Sequence, residues 1–491
     1  MQLNKILLMA PPAYSAMQPR DINPLPPMGL GYLAAIAEIS GMQVKILDCL
    51  IRGWEHEEYV NESLVRVGLS EKDIQEQITR FQPDIVGINC QFSRQYKIYH
   101  QMFSLIKKID PRIIVLAGGP HATVCPEEVL SDENCDYLLL GEAEESFKEF
   151  IMALQNDTEI TTIDGLGWKH EGKPKINPKL TFIKDLDSIP FPAYHLMELN
   201  KYFGLDASHG DRHRKRFCPI VTSRGCPAKC TFCSAHRVWG NKYRVRSVEN
   251  VIEEMRLLKD KYGVEEIMFE DDNVTANNKR AKLLFSRMIE EGFDFVWDTP
   301  NGAGVWSMDE EMIDLIKKSG CVRLHFPVES GSQYVLKNII KKPVNLERVK
   351  ELIKYCQKIN LYHSMFLVIG MPGEKITDMW KSIKFAADCG CYVPHISVAT
   401  PYPGTQLYED CLKNGYFSRP FSLDDLFIRS FLLSTPDWNG EDVKRILYKG
   451  YHYLRMRELL AQPSKIIQLA RSIINILLRP YRIIEIIKRG Y

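Results

Sequence analysis

The sequence predicts an α/β chain made of a doubly wound, Rossmann-like parallel sheet, a partial β/α barrel of the TIM type, and a helical C-terminal tail. Three observations carry this reading. Short apolar runs alternate with amphipathic stretches over the first 150 residues, and the alternation resumes at Pro219. Between them, Ile189-Pro190-Phe191-Pro192 forbids helix. With 491 residues there is length for two or three domains, each burying its own core.

In the first region Lys5–Met9, Gln43–Leu47, Ile85–Asn89, Ile113–Ala117 and Tyr137–Leu140 read as buried strands, and Gly29–Ile39 and Tyr96–Ile109 as helices. Such sheets bind ligands beyond their carboxyl edge, which directs attention to Pro11–Pro27, Cys90–Gln95, Gly118–Thr123 and Gly141–Glu144. Thr161–Leu166 and Pro174–Ile183 flank a polar turn and read as a hairpin followed by a linker. Beyond it, Pro219–Thr222, Glu266–Phe269, Val322–Phe326, Ser364–Ile369 and His395–Thr400 read as strands. Val248–Lys261, Lys279–Glu291, Asp309–Ser319 and Leu346–Lys358 read as helices. The expected divisions are 1–150, 151–205, 206–435 and a basic, apolar helical extension over 436–491.

Composition narrows the function. Lys and Arg number 63 against 62 Asp and Glu, so no global basic field is available for nucleic acid. No start resembling a signal peptide and no run of apolar residues long enough to span a bilayer is visible, which predicts a cytoplasmic protein with reduced thiols. Thirteen cysteines then call for a use. The tail from Pro463 carries Lys465, Arg471, Arg479, Arg482, Lys488 and Arg489 against Glu485, with an apolar stripe at helical spacing. It predicts a helix packed on the domains, or one lying peripherally on anionic lipid, which makes a lipid-like substrate an alternative to an ordinary small molecule.

The chemistry concentrates at Cys226-Pro-Ala-Lys-Cys230-Thr-Phe-Cys233. Three thiols within eight residues can converge on one metal centre, and three ligands on a four-iron cluster leave one iron open. Zinc with His236 as fourth ligand is the alternative. The C-x3-C-x2-C spacing, with an aromatic residue before the last Cys, resembles the signature of the radical S-adenosylmethionine (SAM) superfamily. That resemblance implies a [4Fe–4S] cluster on Cys226, Cys230 and Cys233 and an open iron that chelates SAM. It further implies reductive cleavage to a 5′-deoxyadenosyl radical, with electrons from a flavodoxin or ferredoxin. Other segments resemble the family in order. Asp271 and Asp272 stand where it grips the SAM amino group. Glu329 and Ser330 match its E-S-G-S motif, and Gly370, Pro372 and Gly373 its G-x-P-G-E segment beside the adenine. Pro401–Thr405 resembles its P-x-P-G-T turn. Gly304 departs from the pattern, standing where many members carry Arg.

The N-terminal region resembles the cobalamin (B12)-binding domain found before many radical SAM cores. Pro27–Ala35, Gly118-Gly119-Pro120-His121 and Gly141-Glu142-Ala143-Glu144 carry this likeness. It implies a corrin against those loops, with Gly118, Gly119, Pro120, His121, Gly141 and Glu142 as contacts. His121 also reads as a loop histidine satisfied by backbone. The D-x-H-x-x-G motif that supplies a cobalt ligand is missing, since Pro11–Pro27 contains no His. The resemblance therefore implies a methyltransferase acting on an unactivated carbon or a phosphinate phosphorus through methylcobalamin and the radical. A cyclisation, oxidation or rearrangement without methyl transfer is the alternative within the class. A methylthiotransferase with a second cluster on Cys49, Cys90 and Cys125, or a non-catalytic iron–sulfur module, lies further away. Cys218 is a further candidate, and Arg212–Arg216 reads as a solvated loop or an anion grip.

Overall fold

A computed structural model describes residues 3–16, 21–22, 24–205, 213–426 and 431–464. Arg212 and the basic tail from Lys465 onward lie outside them. The N-terminal sheet contains β1 (Lys5–Ala10), β2 (Gln43–Asp48), β3 (Ile85–Asn89), β4 (Ile114–Gly118), β5 (Tyr137–Leu139), β6 (Leu166–His170) and β7 (Lys173–Ile176). Its order is β7-β6-β5-β4-β3-β1-β2, parallel from β5 to β2. Strands β1 and β3 are near-continuous apolar runs because helices cover both faces. Tyr96–Ile109 buries Ile98, Met102 and Phe103 on one face, while Met28–Ile39 buries Leu30, Ala34 and Ala37 on the other.

The expected hairpin belongs to this sheet. Strand β6 pairs antiparallel with β5, and Glu171 and Gly172 turn the chain with φ of 50° and 73°. That two-residue turn is tighter than the loop predicted from sequence, so the strands sit closer to it. The stretch predicted as an open loop, Pro11–Pro27, contains the strand Ala13–Ala16. It pairs with Leu64–Val67, which also pairs with Glu57–Asn61.

The second sheet runs β8 (Phe217–Ile220), β9 (Glu266–Phe269), β10 (Val296–Asp298), β11 (Cys321–Glu329), β12 (His363–Ile369) and β13 (His395–Val398), in chain order and parallel throughout. This is the partial barrel. Its helices form the outer layer, and Trp297 stacks on Phe285 of the helix Asn278–Glu290 with centroids 5.0 Å apart. A second seam joins barrel and N-terminal region: Phe217 and Met268 pack with Ile51 and Tyr202, and the Tyr202 hydroxyl donates to buried Asp48. The helix Gly440–Ala461 closes the barrel against Ile376–Asp388. No helix among the described residues is long and apolar enough to cross a membrane.

Candidate active site

The cysteine loop leaves β8 through Ser223-Arg224, which pairs antiparallel with Arg244-Val245. Gly225 then turns with φ 81°, and a Cβ there would meet Lys242 O at 2.5 Å. Cys226, Cys230 and Cys233 are half-buried. Thr231 pins the loop from inside: its N–H donates to Ile340 O at 3.1 Å, its hydroxyl to Ile339 O at 3.0 Å, and its carbonyl accepts from Leu407 N at 2.8 Å. Burial pushes the Cys230 thiol up to about 12 and Cys233 to about 11, with the Lys342 ammonium pulling both down. His236 is exposed on the next helix. Among the described residues no three Cys, His, Asp or Glu side chains meet at a point that one metal ion would fill.

Lys342 was not singled out from sequence. The chain reaches it through a π-helical stretch, Val335–Ile340, and a left-handed Lys341 (φ 61°). Its Nζ donates to Glu329 Oε1 at 2.6 Å, both side chains being buried. Burial lowers its pKa, and Glu329, Cys230 and Cys226 more than offset that, holding the ammonium charged beside the thiols. Glu329 itself has φ 70°, a conformation uncommon outside glycine, at the carboxyl end of β11.

The two neighbouring aspartates differ. Asp271 is consumed: it accepts from Thr222 N and Oγ1 at 3.1 and 2.8 Å and from the Ser223 hydroxyl. Asp272 keeps a buried Oδ2 without a partner. Burial, then the like charge of Asp271, pushes its carboxyl up to about 6. Beside them Asn273 takes the space of the absent Arg, since a Cβ at Gly304 would lie 2.4 Å from Asn273 Nδ2. Ser330 is committed internally, 3.1 Å from Ser382 Oγ and accepting from Ser332 N at 3.2 Å. Gly370 and Gly373 have φ of 83° and 85° around Pro372. Glu374 closes that turn by accepting from Gly370 N and Met371 N at 2.8 and 3.1 Å.

At the N-terminal edge, Gly118 ends β4, Gly119 has φ 98°, and Pro120 opens the short helix Pro120–Val124. Thr123 ties the two loops, donating to Gly119 O and accepting from Gly141 N, each at 2.8 Å. His121 is buried and satisfied by side chains, not backbone: Ser93 Oγ and Glu128 Oε2 each stand 3.1 Å from a ring nitrogen. Glu142 is likewise consumed. It pairs with Arg224 at 2.6 Å and Arg244 at 2.8 Å and accepts from Ile183 N at 2.8 Å. Arg224 also pairs with Glu144 at 2.6 Å and lies against the rings of Tyr32 and Trp239. These contacts hold the edge to the cluster loop. Cβ atoms built at Gly141 and Gly404 would lie 3.0 Å from Val238 O and 2.8 Å from Val124 Cγ1. The sequence reads Glu142 as a loop carboxylate, but its arginine partners stand about eighty residues or more away.

The donor set fits the expected groups. An ammonium satisfies the lone Asp272 oxygen, thiolates bind iron once deprotonated, and the glycine edge keeps partly exposed backbone at Gly118, Gly119 and Gly141. Comparison with known proteins settles the family. Residues 220–386 match the radical SAM superfamily and residues 23–151 the B12 binding domain. A cytidylyl-2-hydroxyethylphosphonate methyltransferase of Streptomyces wedmorensis is 35% identical, spanning 91% of this chain and 89% of that protein. The chain belongs to the cobalamin-binding radical SAM enzymes. An uncharacterised methyltransferase of Pyrococcus horikoshii is 33% identical across 94% of this chain and 95% of its own. Among solved structures, the radical SAM methyltransferase TsrM of Kitasatospora setae, with cobalamin and a [4Fe–4S] cluster bound, superposes with a TM-score of 0.67 at 17% identity. That match covers 85% of this chain and 79% of TsrM. The cofactors of this radical SAM enzyme are accordingly a [4Fe–4S] cluster, SAM and cobalamin.

Proposed function

We propose that this enzyme methylates an unactivated carbon, or a phosphinate phosphorus, of a small molecule held between the cluster loop and the glycine edge. The observation that carries the reading is the Glu142–Arg224 seam, which joins the cobalamin-binding edge to the strand entering the cysteine loop. The relative named as a phosphonate methyltransferase supports methyl transfer as the reaction. The cofactors supply the methyl group and the radical; the protein orients substrate and excludes water.

In this reading Cys226, Cys230 and Cys233 hold the cluster. Asp272 takes the SAM ammonium, while Asp271 and Ser330 brace the loops around it. Lys342 and Glu329 set the charge beside the thiols. Gly370, Pro372 and Gly373 admit the adenine, and Gly118, Gly119, Pro120 and Gly141 offer backbone to the corrin. His121 and Glu142 serve by fixing those loops. A small flavodoxin or ferredoxin is the natural reductant.

The test is anaerobic reconstitution with iron, sulfide, cobalamin, reductant and SAM, followed by product analysis on candidate substrates. Methyl transfer yields S-adenosylhomocysteine and 5′-deoxyadenosine together. Formation of 5′-deoxyadenosine alone with a converted substrate would move the assignment to cyclisation, oxidation or rearrangement.

A further inference from the structure

The barrel interior carries polar groups that neither the cysteine loop nor the SAM-facing segments use. Trp297 packs outward on Phe285, so Asp298, next along β10, faces inward. On β11, Leu324, Phe326 and Val328 belong to the helix-facing core, leaving His325 on the inner face. On β12, Met365, Leu367 and Ile369 do the same, leaving Ser364 and Phe366 inside. Glu266, at the foot of β9, is fully buried, and its Oε2 accepts from the amides of His213 and Arg214 at 2.9 and 2.7 Å.

These side chains are short of partners. Fourteen buried side-chain nitrogens and oxygens lack a hydrogen bond among the described residues, and five belong to these inward-facing residues: Glu266 Oε1, Asp298 Oδ2, both ring nitrogens of His325, and Ser364 Oγ. Asp298 Oδ1 accepts from Thr299 N at 2.6 Å; His325 Nε2 stands 3.3 Å away from it, outside hydrogen-bond geometry. The His325 ring stacks on Phe366 with centroids 4.9 Å apart, which fixes its plane. An unsatisfied buried polar atom costs about 1–3 kcal/mol, so a cluster of five calls for a polar occupant.

The donor and acceptor inventory defines that occupant. Two unused carboxylate oxygens need donors and repel an anion, while the guanidinium of Arg323, in register with Asp298, is held over the Tyr362 ring. The imidazole and the Ser364 hydroxyl each give and take a hydrogen bond, which an ammonium, a donor only, cannot reciprocate. Vicinal hydroxyls meet both demands. Asp298 pairs in register with Met268, three residues before Asp271, and His325 lies four residues before Glu329. At about 3.3 Å per residue the floor lies roughly 10–13 Å beneath the SAM-facing edge, the reach of a small substrate.

We propose that Glu266, Asp298, His325 and Ser364 form the substrate floor and bind a hydroxyl-rich end of the substrate, the carbon to be methylated pointing up toward the cluster loop. The proposal rests on the methyl-transfer reading only in taking the occupant of the floor to be the substrate, whose other end rises to the cluster loop. A phosphate or phosphonate on the substrate therefore sits away from this floor.

The test is saturation-transfer NMR on the reconstituted full chain with SAM, using cytidine and methyl α-D-glucopyranoside as diol probes and 2′,3′-dideoxycytidine as the counterpart lacking the diol. At least one diol probe binds, and dideoxycytidine binds at least fivefold more weakly than cytidine if cytidine is that probe. Asp298→Asn and the milder Ser364→Ala each weaken the diol probe at least threefold, in preparations whose melting curve and cluster absorption match the parent. Absence of binding by either diol, equal binding in both variants, displacement by inorganic phosphate, or soaked crystals with only ordered water on the floor would each overturn it. Methyl product with any of those results removes the floor and keeps the reaction; diol binding with conversion but no methyl product keeps the floor and removes the reaction.

Discussion

The two carboxyl edges that face each other in this molecule are built on opposite plans. At the N-terminal edge the acidic and imidazole side chains are spent on one another: His121 on Ser93 and Glu128, Glu142 and Glu144 on Arg224 and Arg244. What is left for a ligand is glycine backbone. At the barrel edge, buried side-chain atoms remain unpaired, among them Asp272 Oδ2 and Asn273 Nδ2, alongside three half-buried thiols. A large rigid cofactor needs a fixed surface shaped to it, whereas a cluster and a charged sulfonium cofactor need ligating atoms. Substitutions at the barrel edge should therefore abolish chemistry, and those at the N-terminal edge should loosen the scaffold.

The largest effect falls on the barrel edge. Cys230→Ala removes one of the three thiols proposed to hold the cluster, and reconstituted protein should show iron content and visible cluster absorption at background, with no SAM cleavage. A cluster of normal occupancy in that variant would break the comparison. Next stands the buried Lys342–Glu329 pair. Lys342→Met strands a buried carboxylate and should cost about 3–5 kcal/mol in urea unfolding, most of it recovered by adding Glu329→Gln, because removing both charges leaves neither uncompensated.

At the N-terminal edge the same operation should cost less. Glu142→Gln leaves Arg224 paired with Glu144 and Arg244 on the carbonyls of Ile183 and Trp239, so the loss should be about 1.5–3 kcal/mol. Its signature is faster limited proteolysis of the 177–205 linker, as the two regions lose their seam. An unchanged cleavage rate would mean that the remaining contacts, among them Glu144–Arg224 and Ile51–Met268, hold them together.

How much of this was legible depends on how local each determinant is. Strands β3 and β9 and the helices Tyr96–Ile109 and Leu346–Lys358 are readable end to end because apolar periodicity alone defines them. The cysteine loop is readable because its ligands lie within eight residues. Strand β10 is not: it has three residues, and its inward position is an Asp. Lys342 escapes because its approach to the thiols depends on a π-helical stretch, which periodicity does not announce. Glu142 is misread for the converse reason, since a loop carboxylate reads as available until its distant arginines are placed.

A smaller effect separates charge from shape at the G-x-P-G-E turn. Burial pushes the Glu374 carboxyl up to about 8 from an ordinary 4.5, against the pull of the Met371 and Gly370 amides. The folded state thus keeps a proton that the unfolded chain releases. This contribution to stability is whole below pH 4.5 and is lost as pH rises through about 8. Glu374→Gln keeps an acceptor for both amides without the titration. Its melting temperature should therefore fall less steeply between pH 6 and 9 than the parent's, with the two converging in acid.

The smallest expected effect tests whether the cysteine loop is self-sufficient. His236 has the spacing of a zinc ligand, three residues past Cys233, yet it is exposed on the helix Ala235–Trp239 and burial with the Arg237 charge lowers its pKa. A ligand to a closed tetrahedral site would be buried and oriented by a neighbouring acceptor. His236→Ala should therefore leave iron content and cluster absorption unchanged and shift stability by less than about 0.5 kcal/mol, the range of an ordinary surface substitution. A loss of bound metal in this variant would turn the centre into a Cys3His site. It would also erase the contrast between an edge that offers ligating atoms to a cofactor and one that offers only backbone.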